Sequence, residues 1–281
     1  MPELPEVEAV AETLRPRVVG RKIRCLHVLH AIAVRPQNPA KAARAAQGRR
    51  IDRVSRHGKY LILEMDRGIA VLHFKLDGQL VWFESVKQML RRANQKTEKD
   101  WVHVDVAFEL DQGVLGFADG RHFGRVYFYD SKDEAPGLNA LGIDAMSNEF
   151  TAKAFAEAAS KSKRPIKEFL LDQTKFAGIG NIYGCESLWR ARIDPKRAAK
   201  SLKETEARRL HKAIVSVLRG ALECCLHPAP DFQDPEWWFQ GLEAILRVYG
   251  REGKACRRDG HAILRIEQAG RSTYYCAHCQ R

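Results

Sequence analysis

The sequence lacks any apolar run of the roughly 18–20 residues that a transmembrane helix requires, although 45% of its 281 residues are hydrophobic. It also lacks the basic and then apolar beginning of a signal peptide, because its opening string, MPELPEVEAVAE, is acidic. Internal repeats and low-complexity tracts are absent too, and the composition argues against disordered and collagen-like classes. These absences predict a folded cytoplasmic protein with no membrane partner.

Cysteine is odd in number, and in a reducing compartment the first four cysteines are expected to be small buried residues and not disulfide partners. Of the 7 cysteines, Cys256, Cys276 and Cys279 lie near the carboxyl terminus, and the last two form a Cys-x-x-Cys pair, which is half of a tetrahedral zinc site. A four-cysteine ribbon would have its missing thiolate at position 259, where this chain has Asp259. His261 reaches the same face if the chain is extended there. The sequence therefore predicts one structural Zn²⁺ per chain and leaves its fourth ligand open between these two residues.

Acidic residues are in deficit: the chain has 47 Lys and Arg against 35 Asp and Glu, a net charge of +12. The excess is uneven, at +3 over residues 1–150 and +9 over residues 151–281. A balance of this size indicates a polyanionic partner, most often nucleic acid. Charge alone leaves open a basic surface without such a partner.

Hydrophobic periodicity changes along the chain and indicates an α+β protein of several domains. A helical stripe of Val7, Val10, Leu14 and Val18 opens the chain, and short alternating runs up to about Asp130 predict an antiparallel sandwich or barrel. Helical spacing follows from Phe150, and two short β-like runs near the end predict a hairpin. The predicted domain bounds are 1–130, a linker at 131–148, a helical domain at 149–246 and a zinc-finger hairpin at 247–281.

The amino terminus can carry chemistry. Removal of Met1 would leave Pro2 with a free secondary amine, whose pKa is lower than that of lysine, so that it can act as a nucleophile near neutral pH. Glu3 and Glu6 beside it are the residue type for general acid and base work. A processed terminus that only caps a helix fits these residues as well.

A glycine-rich turn precedes a predicted helix at 178–181. Gly178 and Gly180 allow a tight turn, Asn181 is a good N-cap, and free N–H groups at the helix start can receive a phosphate. An ordinary helix–turn–helix connection has the same pattern.

Several strings, in order over the whole chain, resemble the bacterial formamidopyrimidine-DNA glycosylase family, which includes the endonuclease VIII type enzymes. They are MPELPEVE at the start, HGKYLILEM at 57–65, DGRHFG at 119–124, GIGNIYGCESLWRARIDP at 178–195, and VYGREGKAC followed by GRSTYYCAHCQ. Leu4 after Pro-Glu matches the formamidopyrimidine branch. The resemblance implies a β-sandwich with an amino-terminal helix, a helical domain with a helix–two-turn–helix, and a zinc β-hairpin.

The resemblance also implies a function, which is base excision repair by a monomeric, nucleoid-associated glycosylase and abasic-site lyase. Its partner is double-stranded DNA containing oxidised bases or abasic sites. Pro2 is then the nucleophile that displaces the damaged base and forms a Schiff base, Glu3 the acid and base at the sugar, and Glu6 a supporting residue. Lys59 matches the catalytic-site lysine, and Arg271 matches the zinc-finger arginine that contacts DNA and assists the final elimination.

Further positions match DNA contacts of the family. His103 and Asn181 match residues near the backbone phosphates. Arg121 and Phe123 match two residues that fill the gap left by the rotated nucleotide, and Leu76 stands where the third is commonly methionine.

Two departures from the family pattern keep alternatives open. The zinc group lacks its second cysteine, and residues 227–246 lack the Ser-Asp-Gly-Lys-like loop over the flipped oxidised purine, with Trp237 and Trp238 there instead. These tryptophans fit either base stacking or a partly buried helix start. A non-catalytic DNA-binding protein on the same scaffold, an enzyme that prefers oxidised pyrimidines, and an RNA-binding zinc ribbon are the alternatives.

Overall fold

The computed structural model describes residues 2–94, 102–233 and 241–281. These residues form two compact units. The first unit contains Pro2 and residues 6–94, 102–139 and 225–233, and the second contains residues 3–5, 140–224 and 241–281. Helix α1 (Leu4–Val18) begins in the second unit and continues in the first.

The predicted stripe of α1 is buried: Val7, Val10, Leu14 and Val18 are each 0% exposed. On the other side of the helix the guanidinium Nε of Arg56 donates a 2.6 Å hydrogen bond to Glu8. The apolar face and the Arg56–Glu8 ion pair therefore help to fix α1 in the first unit.

The first unit is built on two four-stranded antiparallel sheets. Their strand orders are β1-β6-β7-β5 and β2-β3-β4-β8. The rings of Phe108 and Phe128, one from each sheet, lie 6.2 Å apart between the layers. The strands are β1 (Ile23–Val28), β2 (Ile51–His57), β3 (Tyr60–Met65), β4 (Ile69–His73), β5 (Gln79–Phe83), β6 (Val104–Leu110), β7 (Val114–Ala118) and β8 (Arg125–Tyr129).

Two helices interrupt the strands of this unit, where the sequence pattern predicted strands and turns only. Helix α2 (Pro39–Ala46) has Asn38 as its N-cap, whose side chain accepts from the Ala40 N–H, and Pro39 in its first turn. Helix α3 is Val86–Asn94. The cap and the alanine-rich string of α2 were signals that strand periodicity obscured.

The second unit is mainly helical. Thr151 caps α5 by accepting from the Ala154 N–H, and rings of Phe150, Phe155 and Phe176 pack with centroids 5.1 to 6.1 Å apart. These aromatic side chains lie at the centre of the hydrophobic core of the second unit. The elements are α4 (Pro136–Asn139, still in the first unit), β9 (Ile143–Asp144), α5 (Ala152–Ser160), α6 (Ile166–Leu170), β10 (Phe176–Ala177), α7 (Asn181–Ala191), α8 (Glu204–Leu226) and α9 (Leu242–Ile245).

The predicted hairpin near the carboxyl terminus is confirmed. Strand β11 (Leu264–Gln268) pairs antiparallel with β12 (Arg271–Tyr275), and Gln268 faces Arg271 in the register. The two turn residues, Ala269 and Gly270, have positive φ angles of 48° and 70°, as a tight primed turn requires. The hairpin thereby holds Arg271 immediately after its turn.

Candidate active site and zinc centre

The carboxylate of Glu3 is bound at the first turn of helix α7. Glu3 is 1% exposed. Its Oε1 accepts a 2.9 Å hydrogen bond from the backbone N–H of Ile182, and its Oε2 accepts a 3.4 Å bond from that of Tyr183. The positive end of the helix and these two N–H groups therefore hold a buried anion directly after Pro2.

Two glycines make room for this carboxylate and its neighbour. A Cβ at Gly180 would lie 2.2 Å from the Glu3 carboxyl carbon, and a Cβ at Gly178 would lie 2.2 Å from Leu4 Cδ1. The φ of Gly178 is +104°, which is unfavourable for other residues. The glycine turn thus lets the start of the chain approach α7 closely.

The prediction that the first N–H groups of this helix are free for a phosphate is wrong for Ile182 and Tyr183, because Glu3 occupies them. Asn181 is also not the N-cap. Gly180 is the cap, and Asn181 is the first helical residue. The Asn181 side-chain amide donates a 2.8 Å hydrogen bond to the carbonyl of Ser272 in β12, so Asn181 links α7 to the hairpin that carries Arg271.

Lys167, in α6, lies near Asn181 and Ser272, and the sequence analysis did not identify it as a candidate residue. It is 1% exposed, and its Nζ lies 3.5 Å from the Ser272 carbonyl that Asn181 also contacts. Burial lowers the pKa of Lys167, and the charge of Arg271 lowers it further. The available signal was a lysine inside the short apolar string IKEFL, where the pattern alone predicts a solvated residue.

Pro2, Glu6 and Lys59 belong to the first unit. Pro2 is buried, Glu6 is 3% exposed and Lys59 is 9% exposed. Lys59 occupies the predicted position on a strand turn, between β2 and β3 and after Gly58, whose φ is +57°. A buried ammonium group is stable only with compensating partners or a bound anion.

His73, the last residue of β4, makes stability depend on pH. Burial, with the charges of Lys75 and then Lys59, lowers the pKa of His73 to about 3, whereas an unfolded histidine has a pKa of about 6.5. Between these values the unfolded chain binds more protons, so stability present above pH 6.5 is lost as the pH falls. We expect the free energy of unfolding to drop by about 1–2 kcal/mol from pH 6.5 to 5 because of His73. Urea titrations of the wild type and His73→Gln check this, and an unchanged pH slope in the variant contradicts it.

The predicted gap-filling side chains are exposed. Leu76 is 39% and Phe123 50% exposed, which places them among the few large apolar side chains that are exposed in the described residues. Arg121 pairs with Asp77, and its guanidinium lies 5.9 Å from the centroid of the Phe123 ring. All of these residues lie in the first unit.

His103 lies in a cluster of histidines that the sequence reasoning did not foresee. Its Nε2 is 2.9 Å from Nε2 of His122, and its ring stacks on that of His30 with centroids 4.7 Å apart. Asp105 beside them is 0% exposed. Burial raises the pKa of this carboxyl to about 6, although the contacts to His122 and His30 act in the opposite direction.

The cysteines near the carboxyl terminus come together with Asp259. The Sγ atoms of Cys256, Cys276 and Cys279 and a carboxylate oxygen of Asp259 all lie within 4.8 Å of one another. The Cys256 and Cys279 sulfurs are 4.0 Å apart, and the Cys276 sulfur lies 3.4 Å from Oδ2 of Asp259.

This donor set fits tetrahedral zinc. Zinc with Zn–S bonds of ~2.3 Å and a Zn–O bond of ~2.0 Å separates two sulfurs by about 3.8 Å and a sulfur from an oxygen by about 3.5 Å. The observed separations of 4.0 and 3.4 Å are close to both values. His261 is not in this set. The chain turns between Cys256 and Gly260, so it is not extended, and His261 pairs with Asp259 at 3.6 Å instead.

Comparison with known proteins identifies the family. Three family models match the chain. The model described as "Formamidopyrimidine-DNA glycosylase N-terminal domain" matches residues 1–126, and the model of the H2TH domain of the same glycosylase matches residues 141–226. The model described as "Zinc finger found in FPG and IleRS" matches residues 253–281. Proteins named formamidopyrimidine-DNA glycosylase from Pelotomaculum thermopropionicum and Heliobacterium modesticaldum are each 36% identical over 285 residues, which cover 100% of this chain and 99% and 100% of theirs. The chain belongs to the formamidopyrimidine-DNA glycosylase family.

Solved structures of this glycosylase family have the same fold. A Lactococcus lactis formamidopyrimidine-DNA glycosylase, non-covalently bound to DNA containing an abasic site, matches with a TM-score of 0.85 at 30% identity and covers 100% of both chains. The Thermus thermophilus protein matches with a TM-score of 0.82 at 35% identity over 99% of this chain and 98% of that one. The α+β fold class with a carboxyl-terminal zinc-finger region is confirmed.

One prediction from the sequence concerns residues that the structure does not describe. Trp237 and Trp238, with the rest of residues 234–240, fall outside the described residues. Among the helices that the structure does describe, none combines the length and apolar character needed to cross a membrane.

Proposed function

We propose that this protein is a bifunctional DNA glycosylase and abasic-site lyase of base excision repair, acting through the amine of Pro2. One observation carries the proposal: the carboxylate that directly follows Pro2 is buried and fixed by two N–H groups of helix α7. A terminus that served only to cap α1 would not need a buried carboxylate bound to a second helix. A catalytic terminus needs its nucleophile and its acid or base held in place.

The reaction begins at the sugar of the damaged nucleotide. After loss of Met1, the Pro2 nitrogen attacks C1′, the glycosidic bond breaks, and the base leaves with its bonding electrons and a proton. Opening of the sugar ring then gives an iminium between Pro2 and C1′. The iminium withdraws electrons, so a proton is lost from C2′ as the 3′ phosphate leaves, and a second proton is lost from C4′ as the 5′ phosphate leaves. Water then hydrolyses the iminium and releases the Pro2 amine. Atoms and charge balance without an oxidant or reductant.

The carboxylates divide the proton transfers and the electrostatic support. Glu3 exchanges protons with the sugar oxygen as the ring opens. Glu6, buried in the first turn of α1, supports the site through its charge. Lys59 supplies a partly desolvated positive charge for a phosphate of the reacting nucleotide.

Phosphate binding draws on both units. Asn181, Arg271 and His103 contact the DNA backbone, and the +9 charge of residues 151–281 supplies the long-range attraction. Arg121, Leu76 and Phe123 fill the space of the rotated nucleotide, and the exposure of the two apolar side chains supports this role. In this division the sandwich carries the catalytic residues, and the helical region and hairpin carry most of the DNA-binding residues. Residues 131–148 connect them along the chain.

The zinc finger has a structural role. Cys256, Cys276, Cys279 and Asp259 hold one zinc ion, since their separations fit a four-coordinate site filled by protein ligands. Zinc bound there supplies folding energy to the hairpin. The hairpin in turn positions Arg271, and Ser272 receives the Asn181 hydrogen bond.

Gly180→Ala tests the position of Glu3. The new Cβ would lie 2.2 Å from the Glu3 carboxyl carbon and must displace it, so we expect the single-turnover excision rate to fall by roughly 10- to 100-fold. Gly220→Ala in α8 is the matched control, because no described atom apart from its chain neighbours and the backbone of its own helix lies within 4 Å of its added Cβ. Equal rates for wild type and Gly180→Ala would count against the role of Glu3.

The function itself is tested with defined duplexes. The panel contains oxidised purines, oxidised pyrimidines and an abasic site, because a Lactococcus lactis relative was solved with DNA containing an oxidised pyrimidine. We expect excision and strand cleavage with both 3′ and 5′ phosphate ends. Tight binding to damaged duplex without any nicking would instead favour a non-catalytic DNA-binding protein.

A further inference from the structure

Three histidines converge on one buried carboxylate in the first unit. Asp105 on β6 is 0% exposed, and its Oδ1 lies 3.0 Å from Nδ1 of His30 and 2.8 Å from Nδ1 of His122. Nε2 of His103 lies 3.9 Å from the same oxygen. His30 follows β1, His103 precedes β6, and His122 lies in the loop after β7, so three separate segments meet at this point.

We propose that His30, His103, Asp105 and His122 form a metal site of their own, which takes one divalent transition ion such as Zn²⁺. One ligand atom from each residue lies within 4.8 Å of the other three. An ion with bonds of ~2.0–2.1 Å in tetrahedral geometry separates its ligand atoms by about 3.3–3.4 Å. The observed separations of 2.8, 3.0 and 3.9 Å bracket this value.

Two features distinguish the cluster from an ordinary packed group of histidines. Oδ2 of Asp105 is buried and has no hydrogen-bond partner among the described residues, so half of a fully buried carboxylate is uncompensated, which is costly without a cation. His122 also has a φ of +55°, in the left-handed region, which is uncommon for residues other than glycine although histidine is enriched there among them. Such strain is characteristic of functional positions.

The donor set defines the class of ion. Three imidazoles and one carboxylate suit Zn²⁺, Ni²⁺ or Cu²⁺, whereas Mg²⁺ and Ca²⁺ prefer sites made of oxygen ligands. The side chains of His30, His103 and His122 are 42%, 21% and 30% exposed, so an ion can enter from solvent. Because His122 lies between Arg121 and Phe123, a bound ion fixes the loop that carries both of those side chains to β1 and β6.

Zinc stoichiometry tests the site independently of DNA cleavage. The full chain is dialysed against buffered Zn²⁺, and bound zinc is counted by mass spectrometry for wild type, His122→Ala and His30→Ala. We expect each variant to bind one ion less per chain than the wild type. His27→Gln is the matched control: His27 pairs with Glu109 at 2.7 Å in a neighbouring group with Cys25, and we expect it to keep the full count. Equal counts for wild type and both variants, or loss of the ion only in His27→Gln, overturn the proposal.

A second measurement needs no change in the cluster. Cys276→Ser removes a thiolate from the zinc finger but leaves the four proposed ligands intact. We expect this variant to bind one Co²⁺ with ligand-field bands and without the thiolate-to-cobalt charge-transfer band, and Zn²⁺ to displace it. No bound Co²⁺ in a variant whose circular dichroism spectrum keeps the β-sheet signal of the first unit overturns the proposal.

Discussion

A chain that keeps one uncleaved residue before Pro2 is expected to lose base excision and borohydride trapping altogether. The extra residue converts the secondary amine into an amide, whose nitrogen lone pair is delocalised and cannot attack C1′. Pro2→Gly leaves a primary amine without the ring that fixes its direction, and we expect its single-turnover excision rate to fall by roughly 100-fold or more. The measurement is the excision rate on a duplex with one oxidised base.

Binding to a duplex with a non-cleavable abasic analogue serves as the control for both changes. The extension changes none of the residues proposed to contact phosphates, so we expect the affinity to change far less than the rate. Undiminished excision and trapping in both variants would show that the nucleophile lies elsewhere in the chain.

Cys276→Ser is expected to remove the finger zinc and to weaken DNA binding by roughly 10-fold or more, since structural zinc supplies most of the folding energy of a small metal-bound domain. The Cys276 sulfur is buried at 0% exposure and lies 3.4 Å from Oδ2 of Asp259. Without the ion, the hairpin no longer holds Arg271 rigidly. Loss of the thiolate-to-cobalt charge-transfer band in the Co²⁺-loaded chain measures the first effect, and a DNA titration at fixed salt measures the second.

Two further variants distinguish the fourth ligand. Asp259→Ala is expected to weaken the cysteine-bound ion, whereas His261→Ala leaves it in place, because only Asp259 lies within ligand distance of all three sulfurs. Cys25→Ser, at a half-buried cysteine on β1, is the control for general thiol loss. Loss of the cysteine-bound ion in His261→Ala but not in Asp259→Ala would contradict the assignment of Asp259 as the fourth ligand.

Local patterns in the sequence predicted the elements that local physics determines. The sequence pattern predicted the stripe of α1, the alternating strands of the sandwich and the hairpin around Gly270. Burial on one face of each element repeats its apolar residues with the period of that element. Helix α2 was missed although Asn38 and Pro39 mark its start, since its buried face consists of Ala42 and Ala46 and lacks the large apolar side chains that usually mark a helical stripe.

Contacts between residues far apart in the sequence could not be predicted from the local sequence pattern. Glu3 and Ile182 are 179 residues apart, so nothing near the glycine turn indicated that a carboxylate, not a phosphate, occupies its N–H groups. The His261 alternative for the fourth zinc ligand depended on an extended chain, but the backbone turns after Cys256, where the Gly260 N–H donates to the Cys256 carbonyl at 2.9 Å. The buried position of Lys167 likewise follows only from packing of the second unit.

In the proposed reaction the Pro2 nitrogen becomes covalently bound to the sugar. The most direct measurement traps the wild-type protein on an abasic-site duplex with borohydride, digests the adduct and locates the modified residue by mass spectrometry. We predict a single adduct on the amino-terminal peptide, at the Pro2 nitrogen of a chain that lacks Met1. An adduct on Lys59, Lys167 or any other residue, or strand cleavage with no trapped adduct, would contradict the claim.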